Sequence, residues 1–150
     1  MNNRTVETIN SHADSLIDLL VAQCADLEAL LKLARQESLA AAENDFDRML
    51  EVTTERATLG ERLESYHRQI SELRGLMGAS AEHVLQSALV KDSIRLALEI
   101  QHNDATTSTS LLHLRSNTNG QLSRLEQSRR NSTAYLNETR VAGVKCDRRA

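Results

Sequence analysis

The 150-residue sequence has no proline and no tryptophan, and only one phenylalanine, two tyrosines, two cysteines and five glycines. Without proline, no position loses its backbone N–H or forces a helix to stop, so long helices are permitted throughout. The aromatic residues are Phe46, Tyr66 and Tyr135. Packing therefore falls to Leu, Ile, Val, Ala and Met, which suit helices at close approach, and little material is left for the aromatic-lined pocket of a loop-built enzyme. Cys24 and Cys146 make no disulfide framework and point to a reducing compartment. No stretch approaches the roughly 20 apolar residues that span a bilayer. The first residues, Met1-Asn2-Asn3-Arg4-Thr5-Val6, lack the apolar run of a secretory signal. A cytoplasmic protein is the expectation. A glycine-rich phosphate loop, a nucleophile elbow and a Cys-x-x-Cys pair are also missing, which favours binding over catalysis.

What the sequence does contain is apolar spacing of alternating threes and fours. Ile17, Leu20, Cys24, Leu27, Leu31 and Ala34 form one such seam, the rhythm of helices packed side by side. Cys24 then reads as a small buried hydrophobe. Met49, Val52, Arg56, Leu59, Leu63, Tyr66, Ile70, Leu73 and Met77 form a second, with one arginine inside it. A third runs through Ile94, Ala97, Gln101, Asp104, Ser108, Leu111, Arg115, Thr118, Leu122 and Leu125. It keeps the spacing but places polar residues where apolar ones belong, which marks it as the place to look for function.

These seams predict an all-α protein: an elongated antiparallel helical hairpin plus a long third helix in a coiled-coil-like bundle, with one core in a chain of this size. The first helix is expected over about 11–42, starting near Ser11 or Asp14, and the second over about 46–77. Asn44 or Asp45 would cap the second, and Gly75, Gly78 and Ser80 would end it. The third is expected over about 81–129, capped by Ser80 with Glu82 in its first turn. The run Asn103-Asp104-Ala105-Thr106-Thr107-Ser108-Thr109-Ser110 carries side chains that compete for backbone hydrogen bonds and weaken a helix, which makes it the place where a kink would fall; the sequence leaves open whether there is one. Residues 1–130 thus read as one helical domain. Beyond Arg130 the periodicity fades, and 131–150 reads as a mobile basic tail.

The net charge of −3 is unevenly distributed. Met1 to Leu111 carries 10 basic and 18 acidic residues, whereas Leu112 to Ala150 carries 8 basic and 3 acidic. A basic segment can bind nucleic acid by counterion release. Here the arginines are scattered and no stacking series of aromatics accompanies them, so no nucleic-acid partner is expected, and attraction to an acidic protein surface is at least as natural a reading.

The arrangement resembles FlgN-type flagellar export chaperones. The resemblance is carried by a leucine-rich first helix, by Ala41-Ala42-Glu43-Asn44-Asp45-Phe46-Asp47 with Leu50 soon after, and by Leu59-Gly60-Glu61-Arg62-Leu63. It continues through Leu76-Met77-Gly78-Ala79-Ser80 and Asn103 to Tyr135 and Gly143. It implies a small helical protein of the flagellar type III secretion system that holds hook-associated (hook–filament junction) proteins by their carboxy-terminal helices and passes them to the export gate. The binding region it implies is about 111–135.

Two local signals compete with that reading. Glu64-Ser65-Tyr66-His67 and Glu99-Ile100-Gln101-His102 have the Glu-x-x-His spacing of di-iron bundles, whose ligands point inward. If Leu63 is a and Tyr66 is d, Glu64 falls at b and His67 at e, while Glu99 and His102 fall at f and b of the third seam. Those positions face outward, so neither metal ligation, cofactor nor catalytic residue is expected. The polar seam itself can set register or leave an apolar groove. In the second case Leu111, Leu112, Leu114, Leu122 and Leu125 would receive a client helix, with Tyr135 as an anchor. A structural coiled-coil module that pairs with itself as a homodimer through the same seam is the alternative, and a metal-binding bundle enzyme is the third reading.

Overall fold

A computed structural model describes residues 3–147, with side chains from 7 to 136. It contains helices α1 (Asn3–Glu43), α2 (Phe46–Met77), α3 (Ala81–Leu85) and α4 (Ala88–Asp147), with a 3-10 turn at Gly78–Ser80. No strand occurs among the described residues. The protein is all-α, as the proline-free seams require. It divides into two compact units, Met1–Thr109 and Ser110–Ala150.

In the amino-terminal unit, α1 and α2 form an antiparallel hairpin across a two-residue turn. Asn44 takes φ 59°, the left-handed conformation that asparagine tolerates just past a helix end. The N–H of Asp45 bonds the Ala40 carbonyl at 2.9 Å. Of the two expected caps, Asp45 is the one used: its Oδ1 accepts the Arg48 N–H at 3.0 Å, satisfying an otherwise free donor at the start of α2. The other end of α2 stops at Gly78, with φ 54° and ψ −130°, a combination essentially restricted to glycine. A Cβ there would meet no atom within 4 Å, so any penalty would come from the backbone alone. Gly78→Ala is expected to cost about 1–3 kcal/mol, read as a fall in Tm, with no change in helical content below the transition.

The second seam keeps its register throughout. Val52, Leu59 and Met77 are buried, and Met49, Arg56, Leu63, Tyr66, Ile70 and Leu73 are half-buried. The first seam holds in its middle, where Leu20, Leu27, Leu31 and Ala34 are buried, and shifts at its start. Leu16 is fully buried with Leu20, Met77 and Ala81, while Ile17 is 40% exposed. Because α1 packs against both α2 and α4, its buried arc is wider than one two-helix seam, and Leu33, Ala40 and Ala41 are buried as well. Cys24 is half-buried rather than sealed, its Sγ lying 3.4 Å from the Leu89 carbonyl and 3.1 Å from Ser93 Oγ.

The largest correction concerns the third seam. Ile94, Ala97, Gln101 and Ser108 are exposed, whereas Leu96, Ile100 and Thr107 are buried, with Leu89, Ser93 and Asn103 half-buried between them. Leu96 and Ile100 pack on Leu27 and Leu31 of α1. The operative series, 89–93–96–100–103–107, has the same rhythm in a different phase. The third helix also begins differently. Ser80 is helical and makes no side-chain cap, because the 3-10 turn leads straight into α3, which ends after Leu85 before α4 starts at Ala88.

The polar run at 103–110 stays α-helical. The hydroxyls of Thr106, Thr107 and Thr109 donate to the carbonyls four residues earlier, those of His102, Asn103 and Ala105, so they bond within the helix instead of interrupting it. The expected boundaries at 11 and 129 are also exceeded: α1 begins at Asn3 and α4 continues to Asp147. Ser11 is an interior residue whose carbonyl accepts the Ser15 hydroxyl at 2.9 Å.

Candidate partner-binding surface

The carboxy-terminal unit is helical to Asp147, and its side chains are described to Leu136. Leu111 and Leu114 are half-buried. Leu112, Leu122, Leu125 and Tyr135 are 63%, 54%, 66% and 68% exposed. At about 100° per residue, Leu111, Leu114, Leu122 and Leu125 share one stripe along the helix. Leu112, one position from Leu111, falls on another face, and so does Tyr135, one position from Leu136. Leu136, 65% exposed and three turns beyond Leu125, belongs to it. Sequence reasoning missed Leu136 by following a strict three–four rhythm; the eleven-residue spacing from Leu125 was the available signal.

Thr118 lies on the same stripe, its hydroxyl donating to the Leu114 carbonyl at 2.9 Å. The stripe's two leucine pairs are thus separated by a hydroxyl that is already bonded within its own helix. An exposed apolar row flanked by polar residues is the usual form of a helix-docking face.

The amino-terminal unit brings together two residues of the polar seams. Arg56, the arginine of the second, donates through Nη2 to both carboxylate oxygens of Asp104 at 2.8 Å, and through Nη1 to Glu37. Thr53 Oγ1 lies 3.2 Å from the Glu37 carboxylate and 2.8 Å from the Met49 carbonyl, between which its single proton is shared. The ion pairs thus join α1, α2 and α4. Burial opposes the charge of Arg56, but its hydrogen bonds to Asp104 and Glu37, and their negative charges, outweigh that and hold the guanidinium above its ordinary value. Its folded-state value being raised, this stabilisation is complete below the ordinary arginine range and is lost only as pH rises beyond it. Asp104 here sets where α4 meets the hairpin, the register role open to a polar seam residue.

Arg56→Ala is expected to lower unfolding free energy by about 1–3 kcal/mol in urea titrations. The value lies below that of a fully buried pair because the Asp104 side chain is 43% exposed and can return to water. Asp104→Asn should cost less than Arg56→Ala, since Glu37 keeps its partner.

Glu64, His67 and His102 are exposed. The Glu99 carboxylate is engaged by Arg95 at 2.9 Å and Arg35 at 3.4 Å. Among the described residues, no three His, Cys, Asp or Glu side chains are grouped as a metal ion would need. A groove of about 330 Å³ where α1, α2 and α4 meet is lined by Leu27, Ile70, Ile94 and Ala97, with His67 its only titratable side chain. No helix among the described residues is long and apolar enough to cross a membrane. Comparisons with protein-family models, with curated proteins and with solved structures find no match.

Proposed function

We propose that the chain is a cytoplasmic export chaperone of the FlgN type. In this reading it binds the carboxy-terminal helical segment of a hook-associated flagellar protein, masks it, and releases it at the export gate. The observation that carries the mechanism is the exposed leucine stripe around Leu122 and Leu125. A soluble helix with such a face gains by covering it, at roughly 1.5–3 kcal/mol for each leucine fully removed from water. The flagellar assignment rests on the resemblance of residues 41–47, 59–63 and 76–80 to that family.

Masking requires no bond to be made or broken, so no catalytic residue, cofactor or metal enters this reading. In this reading the carboxy-terminal unit presents the stripe, and Tyr135, exposed on a neighbouring face about 100° from Leu136, adds a low-entropy anchor for a client that wraps round the helix.

The test is a calorimetric titration of the full chain with a purified carboxy-terminal segment of a hook-associated protein, alongside sedimentation of the chain alone. Saturable one-to-one binding supports the reading. Absence of binding, together with a concentration-dependent homodimer, would instead favour a self-associating coiled coil built on the same leucines.

A further inference from the structure

We infer that the helix received by the carboxy-terminal unit is an acidic one, selected by Arg115 and Arg129. This rests on the reading of that unit as the client surface. Between Ser110 and Leu136 the chain carries Arg115, Arg124, Arg129 and Arg130 against the single acid Glu126, with no lysine or aspartate. Position on the helix matters more than the total. Arg115 lies one turn after Leu111 and Arg129 one turn after Leu125, so both stand on or at the edge of the leucine stripe. Both are exposed.

A helix that buries its own leucines against Leu122 and Leu125 sets its flanking positions beside these two guanidinium groups. Arginine suits that place, because its stem lies over apolar surface while its planar head presents paired donors to a carboxylate. A glutamate flank gains charge-assisted hydrogen bonds there, whereas a lysine flank meets like charge at the same separation. Glu126, one turn before Arg129 and Arg130, reduces the local excess without reversing it. The same cations disfavour the simplest self-pairing, since a second copy in parallel register would place Arg129 against Arg129.

The experiment uses the full chain and two synthetic helix-forming peptides of roughly 20 residues. They have identical leucine positions and carry glutamate at every flanking position in one and lysine in the other. Fluorescence anisotropy at low salt should show the glutamate peptide binding at least tenfold more tightly, an advantage that narrows as salt is raised. In Arg115→Glu with Arg129→Glu the preference should invert, with the circular dichroism spectrum unchanged. Equal affinities in the parent chain, or an unchanged preference in the double variant, would overturn charge selection and leave the apolar surface standing. A glutamate preference that survives Leu122→Asp with Leu125→Asp would also overturn it, by showing attraction to the basic unit at large. Failure of both peptides to bind would overturn the client surface itself.

Discussion

Leu122→Asp combined with Leu125→Asp is expected to abolish client capture while leaving the helical signal and the Tm of the chain in place. The two leucines are 54% and 66% exposed, so the free protein loses little burial when they are replaced. The cost within the helix is limited to the poorer propensity of aspartate, about 0.5 kcal/mol per site. In a complex the balance is different. Each leucine would contribute roughly 1.5–3 kcal/mol on burial, and each new carboxylate must be desolvated against an apolar helix. A total loss of at least about 3–6 kcal/mol weakens binding some 10²- to 10⁴-fold. Titration calorimetry and circular dichroism on the same sample separate the outcomes. Unfolding of the variant would assign these leucines to a core, and undiminished capture would place the client elsewhere.

Leu96→Asp is expected to destabilise the amino-terminal unit by several kcal/mol, while Ile94→Asp costs less than about 1 kcal/mol. Leu96 is 4% exposed and packs with Ile100 on Leu27 and Leu31. An aspartate there carries a charge into apolar contact. Against a typical total stability of about 5–15 kcal/mol, that is a large fraction of what keeps a domain folded. Ile94 is 56% exposed, so its replacement reaches water. Urea unfolding of the two variants side by side reads the phase of α4 directly. Equal losses, or a larger one at Ile94, would favour the phase in which Ile94 and Ala97 face the hairpin.

The two amphipathic stripes of α4 explain why its phase was hard to read from sequence. Ile94 and Leu98 make one apolar i,i+4 pair and Leu96 and Ile100 another, and hydrophobicity alone ranks them about equally. The series through Ile94 connects to Leu122 and Leu125 at an unbroken three–four rhythm. The series actually buried passes through Ser93, Asn103 and Thr107, residues that look like surface in a one-dimensional pattern. In the structure they are tolerated because Asn103 Nδ2 and the Thr107 hydroxyl are bonded to carbonyls of their own helix, and Ser93 Oγ meets Cys24. A satisfied polar group can lie in a seam at little cost.

The candidate surface was legible to the extent that it depends on local spacing. Leu111, Leu114, Leu122 and Leu125 do share one stripe, because a helix converts sequence separation into angle without help from the rest of the protein. Leu112 fails the same test, lying about 100° from Leu111, and Leu136 passes it.

By itself the sequence determined the helical class, the turn at Asn44–Asp45, the end of the second helix within the stretch from Gly75 to Ser80 and the register of its seam. These follow from the absence of proline, from local capping chemistry and from the period of 3.6 residues, each of which acts within a few residues along the chain. Only the tertiary structure decided that Leu16 rather than Ile17 enters the core, that Leu96 and Ile100 face α1, and that Arg56 reaches Asp104 and Glu37. Such choices are set by which neighbouring helix removes which face from water and by where a buried charge finds its partners, and those neighbours lie dozens of residues away.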